Sequence, residues 1–92
     1  MTIELSKKDC RLIVQEDHVD YEVIDRIDMG KNGSWHNMIE IIFKELKTNY
    51  DYRFYYNQAA TEYQEDEYSD SICYRVKLVE VTTKKWIAGT ND

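Results

Sequence analysis

The chain has no proline and only three glycines, Gly30, Gly33 and Gly89. That scarcity excludes a proline- or glycine-rich linker, and no repeat or low-complexity tract accompanies it. The 92 residues are therefore expected to form one domain, 1–92. Long apolar runs are missing too. Nothing approaches the roughly 20 apolar residues needed to span a bilayer, and the start "MTIELSKKDCR" lacks a signal-like apolar stretch. A cytoplasmic protein is expected. Its two cysteines, Cys10 and Cys73, are far apart and are expected to be buried free thiols.

Histidine is equally scarce, with His18 and His36 alone, and this limits catalysis. Ser34 and His36 would point the same way on a strand, but no glycine-rich elbow or oxyanion-hole motif accompanies them. "DMGKNGS" lacks the spacing of a phosphate-binding loop and reads as a turn. Cys10, Cys73, His18 and His36 have no zinc-ligand spacing, and no acidic segment has the form of a calcium-binding loop. The expectation is a non-enzymatic protein without cofactor or metal.

Base is in short supply, with 12 lysines and arginines against 18 acids and a net charge of −6. Glu16, Asp17, Asp20, Glu22, Asp25 and Asp28 surround the single base Arg26, a local charge of −5. "ATEYQEDEYSD" holds Glu62, Glu65, Asp66, Glu67 and Asp70 with no base, another −5. Seven acids and eleven bases remain elsewhere, a surplus of +4. Such a chain lacks the basic footprint that neutralises phosphates, so direct nucleic-acid binding is not expected. Clustered like charges repel and oppose compaction, a cost that a positively charged partner would offset. The alternative reading is a solvated face that serves solubility.

Aromatic rings are abundant, with eight tyrosines, two tryptophans and two phenylalanines. Rings on this scale supply a core and, where exposed, a subunit contact, so a homodimer is expected. Tyr63 and Tyr68, set among the acids, either stack on a partner's arginine or pack on the sheet.

Hydropathy patterning gives an α+β domain, with an N-terminal helix followed by a mostly antiparallel sheet of four to five strands. Ser6 with Asp9 starts a helix over about Lys7 to Gln15. From Asp20, Tyr21, Val23, Ile27 and Met29 alternate with Asp20, Glu22, Arg26 and Asp28 as a half-buried strand. Asp20 and Glu22 would share its exposed face about 6.6 Å apart, against a DNA phosphate repeat of ~3.4 Å per strand. Trp35 to Leu46 fits either period and is read as a strand paired with "YDYRFYY". "ICYRVKLVEV" is a further strand, and "KKWIA" an edge. Thr61 and Gln64 have the spacing of a capping box, so the acidic stretch between strands is expected as a short helix or an exposed loop.

"GSW", "IIFKEL" and "YRFYYNQAATEYQEDEY" follow one another over Gly33 to Tyr68. This order of tryptophan, aliphatic strand, aromatic strand and acidic segment resembles the small acidic early proteins of T4-like bacteriophages. The resemblance implies a dimeric DNA mimic with anti-restriction activity. Its partners would be a restriction enzyme of the McrBC type and the DNA-binding surface of the histone-like protein H-NS. The +4 remainder departs from a uniformly acidic mimic; a dimer would carry −12. The competing expectation is a protein-interaction module that uses an aromatic patch or strand edge.

Overall fold

The computed structural model describes residues 1–61 and 63–78. Its elements run β1 (Thr2–Leu5), α1 (Lys7–Val14), β2 (Tyr21–Lys31), β3 (His36–Glu45), β4 (Asp51–Ala59) and β5 (Ser71–Val76). All the strands join one antiparallel sheet in the order β1-β5-β4-β3-β2, which gives the expected α+β fold. One strand, β1, precedes the helix and was not anticipated. Its alternation is only four residues long, and it is completed by pairing with the distant β5 from Thr2↔Tyr74 to Leu5↔Ser71. The "KKWIA" edge lies outside the described residues.

Helix α1 begins where its sequence says it should. The Ser6 hydroxyl accepts the Asp9 N–H at 3.1 Å, and the Lys7 N–H is taken by Asp70 at 2.7 Å. Two of the N–H groups that a helix start leaves without partners are satisfied in this way. The far end closes by a paired-return pattern: Glu16 N–H donates to Ile13 C=O and Asp17 N–H to Leu12 C=O, both at 2.9 Å. Glu16 adopts φ 61°, the left-handed conformation that this closure requires and that glycine usually supplies.

One face of the sheet carries the core. Alternation along β3 and β4 buries Ile39, Ile41, Phe43, Tyr52, Phe54 and Tyr56 against Leu5, Cys10, Ile13 and Val14. Rings run across this layer from His18 to Tyr21 (4.8 Å between centroids), Phe43 (5.4 Å) and Phe54 (5.5 Å). Cys10 and Cys73 are buried free thiols. Among the described residues nothing covers the opposite face. There Ile24, Ile72 and Tyr74 are exposed, and Glu40 accepts the Tyr55 hydroxyl at 2.8 Å.

The strand from Tyr21 forms, but its expected faces do not persist. A bulge shifts the register between Val23 and Asp25, so Arg26 pairs with Ile41, Asp28 with Ile39 and Ile27 with Glu40. Beyond the bulge the side chains exchange faces. Arg26 and Asp28 stand on the core side, while Ile27 and Met29 are exposed. A strict two-residue alternation overlooks the one extra residue.

Candidate partner-binding surface

The start of the first acidic segment and the second acidic segment lie at opposite ends of β3, while Asp25 and Asp28 run back along it. At one end Leu46 N–H donates to Asp20 C=O at 3.0 Å, which ties the α1–β2 connection to the sheet. At the other, His36 Nε2 lies 3.0 Å from Glu65 C=O and 3.3 Å from Glu67 Oε1. His36 and Leu46 are ten strand positions apart, about 33 Å at the usual rise.

At the first end, Glu16 and Asp17 follow the C-terminus of α1 while Asp20 and Glu22 lead into β2, and all four are exposed. Among the described residues no hydrogen bond or ion pair holds their side chains. Arg26, the only base of the segment, gives its guanidinium to the Val14 carbonyl instead. Two effects act against carboxylates here. The helix C-terminus carries partial negative charge, and Glu16 also bears a left-handed backbone. His18 lies beneath them; its Nδ1 accepts the Asp20 N–H and its Nε2 faces Asp9 Oδ1 at 3.0 Å. The His18 hydrogen bond, reinforced by Ser6, holds the Asp9 carboxyl below its ordinary value.

Asp25 and Asp28 do not extend this group as free carboxylates. Asp25 Oδ1 accepts the Arg26 N–H at 2.9 Å and Asp28 Oδ1 the Gly30 N–H at 2.8 Å. The single exposed face expected to carry Asp20, Glu22, Arg26 and Asp28 is thus split by the bulge, and Asp25 and Asp28 are held by these local hydrogen bonds.

At the second end the acidic stretch is a loop; no helix forms among its described residues, and Glu62 lies outside them. A backbone bridge between Asn57 and Glu67, with N–H to O distances of 2.8 and 3.1 Å, lays the loop beside β4. Glu65 and Glu67 reach His36, while Asp66 accepts the Ala59 N–H at 2.7 Å and lies by the Tyr68 hydroxyl at 3.5 Å. Asp70 sits apart at the start of α1. Lys7, Lys8 and Arg11 share a cleft with Glu65, Asp66 and Tyr68, yet among the described residues no ion pair within 4.0 Å joins them. Only Glu65 of the described acids here has a side chain without an internal partner.

The two tyrosines separate. Tyr63 is 86% exposed, whereas Tyr68 stacks on Tyr56 with centroids 5.1 Å apart. Burial, with Asp66 nearby, pushes the Tyr68 hydroxyl up to about 12. His36 is the residue whose part here was not foreseen, since its partners lie 29 or more positions away in sequence. Its Nε2 is engaged by the loop and not by Ser34.

Among the described residues no three His, Cys, Asp or Glu side chains converge as a metal site, and no helix is long and apolar enough to cross a membrane. No family model, curated protein or solved structure matches the chain.

Proposed function

We propose that the protein is a non-enzymatic, phage-encoded inhibitor of the Arn type, whose surface carboxylates occupy the DNA-binding site of a basic host protein in the bacterial cytoplasm. The group Glu16, Asp17, Asp20 and Glu22 carries this reading. Among the described residues these four exposed carboxylates have no internal hydrogen bond or ion pair, and one of them, Glu16, stands on a left-handed residue just past the C-terminus of α1, which disfavours negative charge. Their placement costs stability, which a positively charged partner would repay.

The second group supports it by spacing. Glu65 and Glu67 contact His36 and Asp20 contacts Leu46, ten strand positions on, a run of about 33 Å at the usual rise against the ~34–36 Å of one DNA turn. A partner shaped to follow a duplex would meet both ends. The exposed Tyr63 adds a ring able to stack on an arginine. Coulomb attraction would steer the encounter, and the resemblance to early phage proteins suggests a McrBC-type restriction enzyme or H-NS as target. A homodimer would double the charge to −12.

The test is capture of host proteins from bacterial lysate, with and without excess duplex DNA, over a range of salt. Displacement by DNA and steep weakening with salt are expected. Capture indifferent to both would overturn the reading. It would favour the alternative of an interaction module working through the open face that exposes Ile72 and Tyr74, each 57% accessible.

A further inference from the structure

Among the described residues strand β2 lies at the edge of the sheet and, with 11 residues, is the longest strand. An exposed edge offers unpaired N–H and C=O groups to any other extended chain, and the hazard grows with length and apolar character. Ile24, Ile27 and Met29 are exposed along this strand, so its flank is apolar as well.

The edge is not left bare. Arg26 N–H is taken by the Asp25 carboxylate and Gly30 N–H by the Asp28 carboxylate, each from within β2. Both aspartates coincide with the register shifts of the strand, between Val23 and Asp25 and between Asp28 and Lys31. Gly30 supplies φ 96° at the second of these, a conformation that lets the chain curl back onto Asp28. Two donors are thus consumed locally, two negative charges flank the strand, and two irregularities bend its line.

We infer that Asp25 and Asp28 guard the β2 edge, holding two of its backbone N–H groups so that a second strand cannot pair along it. The inference is independent of the mimic reading, because it concerns carboxylates already engaged by the protein's own backbone.

The test is the double variant Asp25→Ala/Asp28→Ala, compared with Asp25→Asn/Asp28→Asn and with Asp17→Ala/Asp20→Ala. Circular dichroism establishes that each is folded. Sedimentation and binding of a synthetic peptide of residues 20–31 then report strand pairing. The amides keep an oxygen acceptor but lose the charge; the control pair loses equal charge away from the edge. The alanine variant is expected to self-associate and bind the peptide about tenfold more tightly than the parent, the scale set by freeing two backbone donors. The amide and control variants should match the parent. An alanine variant that behaves like the parent overturns the inference, and so does equal association of the amide or control variant, which would make net charge the cause. Should the double variant not fold, Asp28→Ala alone carries the test through amide exchange at Gly30. Exchange there should accelerate, and an unchanged rate refutes the guard.

Discussion

The Asp70 carboxylate accepts the Lys7 backbone N–H at 2.7 Å across 63 residues of sequence, so the acidic loop helps to start the only helix among the described residues. A helix start deprived of such an acceptor loses about 1 kcal/mol. Asp70→Ala should lower stability by about that much in urea unfolding, while Asp70→Asn, which keeps an acceptor oxygen, should lose less. Glu65→Gln should leave stability unchanged, since no internal partner depends on that side chain. Equal losses for all three would mean that net charge, not the hydrogen bond, sets the effect.

Asp9 makes stability depend on acid in a defined direction. Its carboxyl is held below the ordinary 3.8, first by the hydrogen bond from His18. A depressed value means that the folded state favours the ionised form. The resulting stabilisation is complete above 3.8 and disappears as pH falls through that value and then through the lowered one. The melting temperature of Asp9→Asn should therefore lie below that of the parent at neutral pH, with the gap closing in acid. A gap that stays constant across that window would show that Asp9 acts through packing alone.

What the sequence revealed, and what it hid, follow from the range of the interactions involved. Helix α1 was legible because Ser6, Asp9 and the apolar positions Leu5, Leu12 and Ile13 all lie within a few residues of one another. Strand β3 fits either period in sequence and was legible as a strand from its isoleucines and its pairing with the tyrosine-rich run that forms β4. β1 was not, because four residues carry little period and its stabilising partner is some 70 positions away. The bulge in β2 was overlooked although Ile24 and Asp25 both break the alternation of polar and apolar positions there. At the surface, clustering in sequence located both acidic groups but did not show which carboxylates were free. Asp25, Asp28, Asp66 and Asp70 turn out to accept backbone N–H groups, which depends on where the chain returns.

The two thiols should be nearly inert in the native protein. Burial raises Cys10 and pushes Cys73 up to about 12. At pH 8 a thiol at 12 is ionised to about one part in 10⁴, against roughly a quarter of a free cysteine. Modification by a thiol-specific disulfide reagent should then proceed only as fast as the fold opens, and should speed up in denaturant. Fast stoichiometric labelling under native conditions would contradict the buried placement.

Glu16 offers the most direct conflict between stability and binding. Its φ of 61° places a side chain where glycine would be unstrained, at a cost of about 1 kcal/mol, and its charge faces the negative end of α1. Glu16→Gly removes both penalties and should raise the unfolding free energy by roughly 1 kcal/mol, through backbone relief more than charge. Glu16→Gln separates the two, since it keeps the strained backbone and removes only the charge. If the carboxylates around α1 stand in for phosphates, both variants should bind the captured host protein more weakly, with a flatter salt dependence, while only the glycine variant gains most of the stability. A glycine variant that is more stable and binds as tightly as the parent would show that Glu16 contributes nothing to recognition, and the contacts would then have to come from Asp17, Asp20 and Glu22.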